Sequence, residues 1–227
     1  MSFDSEKQLK KFVIKRVNKD FKIIFTKNGL KSYQEVPYAA GVTDLVVYNI
    51  SNKYYFKRMN ELKLKEGIVK DSYLKIYLLL KRKDSWTIND LVRELKLSKP
   101  SVLKIINWLN KNGFIERKKE FIKISRNFRR HVTNSCAFEL KLCNWKEALK
   151  QAFGAKSFSN TQFVILDDDY AKPALENKFL FHKYNIGLAS VLPDSRIKKH
   201  YIPYKDIPYS DFGVWKFNEL SFSSLKK

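Results

Sequence analysis

One apolar run constrains the fold of this chain more than any other feature of the sequence. Residues 41–48 read Gly-Val-Thr-Asp-Leu-Val-Val-Tyr, so Asp44 is the single charged residue among mostly apolar ones. Such a run is typical of a strand buried on both faces, since a strand with one wet face would alternate apolar and polar residues. The run therefore predicts a central β-sheet with a carboxylate placed on one of its inner strands.

The first and last parts of the chain alternate between helical and extended patterns. Leu9, Phe12, Val13 and Val17 recur at helical spacing after Ser5, which is a suitable N-cap. The other predicted strands cover residues 21–26, 33–36, 137–142, 162–166 and 187–192, with a turn at 27–29, and the other predicted helices cover 145–153 and 173–184. No strong period follows Pro193. The alternation predicts an α/β core made of residues 1–56 and 131–227.

Residues 57–130 differ in composition and predict a separate domain inserted into that core. They carry 21 Lys and Arg against 8 Asp and Glu, a net charge of +13 out of +22 for the whole chain. Helices are predicted at 73–81, 87–95 and 98–112. Thr87 and Asp90 form a variant of the capping box, and Pro100 suits a first turn. Gly113 ends the third helix, and two short strands around a charged turn follow.

The order of elements in residues 71–124 resembles the winged helix-turn-helix family of DNA-binding modules. In that family the helix after the turn enters the major groove, and the wing meets backbone phosphates. Winged helices also serve as protein–protein modules, so a structural role stays open. The DNA contacts that the resemblance implies are Lys99, Ser101 and Lys104 on the helix and Arg117, Lys118 and Lys119 on the wing.

The overall charge also favours nucleic acid as the partner. Lys and Arg number 45 against 23 Asp and Glu, a formal net charge of +22, and phosphate neutralisation scales with the number of cations presented. Together with the winged-helix resemblance, this charge makes double-stranded DNA the predicted partner. A solubility charge, an anionic membrane surface and RNA remain alternatives, although we find neither a basic amphipathic helix nor an aromatic RNA-stacking motif.

A Glu-x-Lys pattern, Glu139-Leu140-Lys141, lies on the predicted strand 137–142. Residues two apart on a strand point to the same face, so Glu139 and Lys141 emerge together, whereas Phe138 and Leu140 face a core. Taken alone, the pair is either a salt-bridged strand end or a catalytic carboxylate beside an ammonium group. Chance matches are frequent, so the pattern needs its context.

In context, the chain resembles the PD-(D/E)xK nucleases, the restriction-endonuclease-like superfamily. Residues 5–56 and 131–192 contain four elements in the order found in this superfamily. They are an apolar strand with one acid, a strand with Glu-x-Lys, a helix with Trp145 and Gln151, and a hydrophobic strand. The resemblance implies a mixed central sheet flanked by helices and a Mg²⁺-dependent deoxyribonuclease in which Mn²⁺ can substitute. The implied catalytic residues are Asp44, Glu139, Lys141 and Gln151, and the implied metal ligands are Asp44, Glu139, Glu6, Glu35 and the backbone carbonyl of Leu140.

These residue types suit phosphodiester hydrolysis. Proteins hold Mg²⁺ through one or two carboxylates together with waters and phosphate oxygens, a role for Asp44 and Glu139. A metal at this place would acidify water and polarise the phosphate, while Lys141 would orient that water and offset developing charge.

Two departures from the family pattern bear on the architecture. Thr43 stands where the motif has proline, and 94 residues separate Asp44 from Glu139. If the two strands are antiparallel neighbours, the inserted domain accounts for that separation, because a module with adjacent ends can enter a sheet without breaking it. The chain is thus predicted to be an endonuclease positioned on duplex DNA by a winged helix. The alternative is a non-catalytic, regulator-like DNA-binding protein whose core is a scaffold or dimerisation unit, and a homodimer stays open.

Other conspicuous residues favour ordinary roles. The cluster at 167–169, Asp-Asp-Asp, follows a predicted strand and is typical of turns and helix caps. Cys136 and Cys143 match no metal spacing and fit a reducing cytoplasm, and the three histidines form no zinc pattern. No apolar run approaches the roughly 20 residues of a membrane helix, and the polar N-terminus does not resemble a signal peptide. These features predict a cytoplasmic protein.

Overall fold

The computed structural model describes residues 3–21, 30–39 and 41–225, without the side chain of Asn18. The predicted turn at 27–29, and the strand predicted at 21–26 apart from Phe21, lie outside these residues. The chain divides into two compact units, Met1–Ile50 with Val132–Val214 and Ser51–His131 with Trp215–Lys227.

The described residues form helices and strands as follows. The helices are α1 (Glu6–Asp20), α2 (Asn52–Phe56), α3 (Asp71–Leu80), α4 (Ile88–Leu95), α5 (Lys99–Lys111), α6 (Trp145–Ala155), α7 (Lys172–Glu176), α8 (Lys178–Tyr184) and α9 (Asp211–Ser224). The strands are β1 (Leu30–Tyr38), β2 (Gly41–Ile50), β3 (Trp86–Thr87), β4 (Ile115–Lys118), β5 (Phe121–Ile124), β6 (Val132–Lys141), β7 (Thr161–Asp167), β8 (Gly187–Val191) and β9 (Ile197–Tyr201). None of these helices is long and apolar enough to cross a membrane.

The first unit is a mixed six-stranded sheet covered by helices on both faces. Its strand order is β1-β2-β6-β7-β8-β9, with β6, β7 and β8 parallel and the other neighbours antiparallel. One core layer packs α1, through Leu9 and Val13, against Phe138 and Leu140. The other packs α6 and α8, including Ala148 and Phe181, on the opposite face. The predicted central mixed sheet flanked by helices is confirmed at this level.

The strands that carry Asp44 and Glu139 are antiparallel neighbours, the arrangement under which an inserted segment accounts for the 94 residues between them. Leu45 lies opposite Phe138, and the same ladder continues to Ile50 opposite Val132. The chain therefore leaves this sheet and returns to it at two facing residues. That topology explains how a long segment interrupts two adjacent strands without disturbing their pairing.

The C-terminal part of the chain contains more structure than its pattern predicts. The strand at 187–192 is not the final one, because β9 pairs with β8 and α9 follows. In β9, Ile197-Lys198-Lys199-His200-Tyr201 has the lysines of an edge strand, which hide the apolar alternation. The predicted helix at 173–184 is two helices divided at Asn177, whose side-chain amide donates to the Pro173 carbonyl at 2.9 Å.

The second unit contains α2, α3, α4, α5, most of α9 and a small antiparallel sheet. The sheet has the strand order β3-β5-β4. Thr87 and Asp90 close the predicted capping box at the start of α4, each side chain bonding to the other's backbone N–H at 3.1 Å. Gly113 takes a positive φ of 76° after α5, a conformation that favours glycine. Local sequence signals thus define these boundaries well.

A buried ion pair holds part of the second unit together. The Arg58 guanidinium donates to both carboxylate oxygens of Glu219 at 2.7 Å, and the two side chains are 1% and 0% exposed. Its Cζ lies 4.2 Å from the ring centroid of Phe128 and 3.7 Å from that of Phe222. The backbone N–H of Ile68 also donates to Glu219 at 2.8 Å. Residues 215–225, which the sequence analysis placed in the α/β core, therefore pack with the second unit.

Loss of one partner of this pair should destabilise the protein strongly. Arg58→Met leaves the Glu219 carboxylate buried without its counter-ion, and we expect the free energy of unfolding to fall by about 3–5 kcal/mol. Glu116→Gln is the matched control, because it removes an exposed pair in the same unit, Glu116–Lys123 at 3.5 Å, and should cost less than about 1 kcal/mol.

Urea denaturation followed by tryptophan fluorescence measures the effect, since three of the four tryptophans belong to this unit. Equal losses for the two variants would contradict a structural role for the pair.

Candidate active site

The candidate site forms where the pairing of β2 and β6 ends. Leu45 opposite Phe138 is the last pair of that ladder, although β2 begins at Gly41 and β6 runs on to Lys141. Two residues beyond Phe138, the Leu140 N–H donates to Asp44 Oδ2 at 2.8 Å. A side-chain carboxylate therefore takes the place of a backbone acceptor. In an antiparallel ladder the N–H and C=O of one residue point to the same neighbour, so we expect the Leu140 carbonyl to face Asp44 as well.

Three acidic residues lie at one level across neighbouring strands. In the β1–β2 ladder Gln34 faces Leu45 and Val36 faces Thr43, so Glu35 falls level with Asp44. Continuing the β2–β6 register by one step puts Glu139 level with Asp44 on the other side. Glu35 has a positive φ of 52° and a side chain that is 67% exposed, so it lies at the rim.

Glu139 is the most unusual residue of the site. It is 1% exposed, and neither of its carboxylate oxygens has a hydrogen-bond partner. Burial, and secondarily the Asp44 carboxylate, raise the pKa of Glu139 to about 8, and the nearby Thr43 hydroxyl, followed by Lys141 and Lys10, opposes this only partly. A buried carboxyl without partners costs folding free energy, so its presence needs an explanation other than stability.

Two lysines reach the acidic residues from different elements. On α1, Lys10 Nζ is 2.5 Å from Asp44 Oδ1 and 3.7 Å from Glu35 Oε1. On β6, Lys141 Nζ is 3.8 Å from Glu6 Oε2 and 3.9 Å from Glu147 Oε1. The structure thus places Glu6 beside the predicted lysine. In this arrangement the ammonium that pairs directly with Asp44 belongs to Lys10, which the sequence analysis did not identify.

Gln151 lies on α6 and is linked to the site through Tyr38. The Tyr38 hydroxyl donates to the Gln151 backbone carbonyl at 3.1 Å, while the Gln151 side-chain oxygen is buried without a partner. Burial, followed by the Glu139 charge, raises the pKa of Tyr38 to about 12. Tyr38 also packs closely on Gly154, where an added Cβ would lie 2.7 Å from its ring. Tyr38 is therefore a second site residue that sequence reasoning missed.

Asp44 and Glu139 offer the type of oxygen ligand that Mg²⁺ prefers, but too few of them to complete its coordination. Within the described ranges, no group of three or more His, Cys, Asp or Glu side chains could hold a metal ion. Mg²⁺, however, is commonly bound by one or two carboxylates, the remaining positions being filled by water and phosphate oxygens. The two unpartnered oxygens of Glu139, beside Asp44, meet that requirement. These side chains alone would not complete the coordination of a metal ion.

The aspartate cluster at 167–169 serves as a cap, in agreement with its predicted role. Asp167 is buried and accepts from the Phe3 N–H at 3.0 Å and the Asp169 N–H at 3.3 Å. Asp168 accepts from the Ser190 hydroxyl at 2.5 Å, and that hydroxyl also lies 2.8 Å from His200 Nε2. The carboxylates of Asp167 and Asp168 are thus engaged in structural hydrogen bonds.

The residues predicted to bind DNA lie on the surface of the second unit. The buried residues of α5 are Val102, Ile105, Ile106 and Leu109, and Trp108 stacks on Phe114 with ring centroids 5.9 Å apart. The predicted contact residues are all exposed: Lys99, Ser101, Lys104, Arg117, Lys118 and Lys119.

The raised pKa of Glu139 predicts a pH-dependent cost to stability. In the folded protein Glu139 holds its proton up to about pH 8, whereas in the unfolded chain it loses it near 4.5. The folded state thus binds more protons in this window, so its stability falls as pH rises from about 4.5 to 8. Glu139→Gln should remove the fall, because glutamine does not titrate in this range; each pKa unit of the shift corresponds to about 1.4 kcal/mol.

Chemical denaturation of both proteins with chelator, at several pH values, measures the difference. Relative to wild type, the free energy of unfolding of the variant should increase as the pH rises to about 8 and should not increase further above it. A difference that does not change with pH would contradict the raised pKa.

Compared with protein-family models, with curated proteins and with solved structures, the chain has no match. The geometry of the site and the charge of the surface are therefore the basis for a functional assignment.

Proposed function

We propose that this protein is a Mg²⁺-dependent DNA endonuclease. The observation that carries the proposal is the buried Glu139 carboxylate, which has no protein hydrogen-bond partner and lies beside Asp44. Lys141 follows on the same face of β6, since Phe138 and Leu140 belong to the opposite core layer. An acid pair with an ammonium nearby suits the hydrolysis of a phosphodiester bond.

Each residue has a distinct role in this proposal. Bound Mg²⁺ would supply Lewis acidity and a more acidic water. Asp44 and Glu139 would hold the cation, Asp44 being fixed in direction by the Leu140 N–H. Lys141, whose side chain is 17% exposed, would place its positive charge near the phosphate as negative charge develops there. Tyr38, by its bond to the Gln151 carbonyl, would hold α6 against the sheet on the Glu139 side.

The second unit would bind duplex DNA. Its α4, α5 and β4–β5 hairpin follow the order of a helix-turn-helix with a wing, which the sequence resembles. The exposed cations of α5 and of the hairpin are available for phosphates, and Lys99 and Lys104 lie in the part of α5 that such modules insert in the major groove.

One observation favours a second candidate, a DNA-binding protein without catalysis. Asp44 is already ion-paired with Lys10 at 2.5 Å, and a permanent pair would leave the acids unable to take a metal. A core of that kind would serve as a scaffold or dimerisation unit.

Cleavage assays with site variants separate the two candidates. We expect the wild type to cleave DNA with Mg²⁺ or Mn²⁺ and not with chelator. Glu139→Gln and Lys141→Ala should each lower the cleavage rate by about 100-fold or more, because each removes a charge used in the transition state. Lys150→Ala, an exposed lysine on α6, is the matched control and should leave the rate unchanged.

Plasmid, linear, single-stranded and branched DNA should all be tested, with binding measured in parallel. Cleavage that survives Glu139→Gln would place the active site elsewhere. Tight binding with no cleavage of any substrate would support the non-catalytic candidate.

DNA binding should depend steeply on salt. Each contacted phosphate contributes about 0.9 to the slope of log K against log salt concentration, so Lys118→Ala should lower the slope by about one and weaken all sequences alike. Lys104→Ala should cost about 1–3 kcal/mol on a preferred sequence and much less on others if it contacts a base. Fluorescence anisotropy over a salt series measures both.

Lys205→Ala removes an equal charge from an exposed position of the first unit and serves as the control. Binding that does not change with salt would contradict the electrostatic role of the basic surface.

A further inference from the structure

Helix α1 presents a lysine to the acidic residues of the sheet. The helix begins after Ser5, whose hydroxyl accepts from the Gln8 N–H at 3.3 Å, and Leu9 and Val13 bury its inner side. Glu6 and Lys10 are one turn apart, so they lie on the same side of the helix. The orientation of α1 therefore sets where the Lys10 ammonium lies.

Lys10 neutralises the Asp44 oxygen that is not used by the backbone. Asp44 Oδ2 accepts from the Leu140 N–H at 2.8 Å, and Oδ1 is 2.5 Å from Lys10 Nζ. The Asp44 side chain is only 11% exposed, so its charge is poorly solvated and depends on these two partners. Lys10 also lies 3.7 Å from Glu35.

This arrangement makes Lys10 a competitor of any divalent cation at Asp44. A cation that approaches Oδ1 meets an ammonium already in contact with the same oxygen, and two positive charges at one oxygen repel each other. Glu139, in contrast, has two free oxygens. Binding of the cation through both acids would therefore displace the Lys10 ammonium from Asp44.

We propose that Lys10 is a phosphate-contacting residue of the site, released from Asp44 when a divalent cation binds. The inference rests on the proposed nuclease function. The Lys10 side chain is 30% exposed, so the released ammonium can reach a ligand from solvent without being buried alone. A DNA phosphate at the site is the anion best placed to replace Asp44 as its partner. Cation binding and DNA binding then help each other, because both draw Lys10 away from Asp44.

Mn²⁺ binding to the DNA-free protein tests the first half of the proposal. Electron paramagnetic resonance of free Mn²⁺ gives its affinity without reference to cleavage. Lys10→Met should bind Mn²⁺ about 5-fold or more tightly than wild type, because the competing ammonium is gone. Lys11→Met, the adjacent exposed lysine, should match wild type, and Asp44→Asn should bind Mn²⁺ more weakly than wild type.

DNA affinity with and without Ca²⁺ tests the second half. In wild type, Ca²⁺ should tighten DNA binding about 5-fold or more, and in Lys10→Met that gain should be clearly smaller, because only direct contact between the cation and the phosphate remains. Thermal melting checks that the variant folds, and Lys10→Gln, which keeps a donor for Asp44 without the charge, is the second variant. It should behave as Lys10→Met does.

The outcomes separate this proposal from the function on which it rests. Unchanged Mn²⁺ affinity in both Lys10 variants, or an unchanged gain with Ca²⁺, would overturn the role of Lys10 while wild-type cleavage left the nuclease assignment intact. Absence of Mn²⁺ binding in wild type and in both variants, together with absence of cleavage, would overturn both.

Discussion

The candidate site depends on one exchange of hydrogen-bond acceptors. Beyond Leu45 and Phe138 the β2–β6 ladder stops, and the Asp44 carboxylate accepts the Leu140 N–H in place of a backbone carbonyl. Because a buried N–H must find a partner, this bond lets regular pairing end without leaving a donor unsatisfied. The same bond fixes the direction of Asp44 and places it beside Glu139. Structure and chemistry at this point therefore depend on the same side chain.

The burial of Glu139 destabilises the fold at the candidate site. A carboxyl that is 1% exposed and has no hydrogen-bond partner is a cost that apolar packing would avoid. Proteins keep such groups where a ligand or a reaction needs them, and stability is commonly sacrificed at active sites. The pKa of Glu139 is raised for the same reason, because burial disfavours the charged form. A cation would relieve this cost by stabilising the charged form.

The second unit separates its charges into two classes. Arg58 and Glu219 are fully buried, and each satisfies the other in aromatic surroundings. The exposed cations, such as Lys104 and Lys118, remain in water, where they are available to an anionic surface. Buried pairing of this kind favours one arrangement of the chain, since removing either partner leaves an uncompensated charge. The exposed charges contribute little to folding, and in the proposed function they would contribute to DNA binding.

Local signals in the sequence determined much of the secondary structure. The apolar run around Asp44 predicts a central strand, the Thr87 capping box marks the start of a helix, and Gly113 marks the end of another. Each of these depends on a few neighbouring residues and on backbone sterics alone. The alternation around Glu139 likewise placed its side chain opposite the Phe138 core layer. Such features depend on residues that are close together in the sequence.

Contacts between distant residues were decided only by the tertiary structure. The Lys10–Asp44 pair joins α1 to β2, and the Arg58–Glu219 pair joins residues 161 apart, so no local pattern could reveal either. The amphipathic spacing of α1 marked Leu9 as inward-facing but could not say which strand residue Lys10 would meet. Periodicity reports which side of an element is buried, whereas the partner across the core depends on strand order and register, and these are set by the packing of the whole sheet.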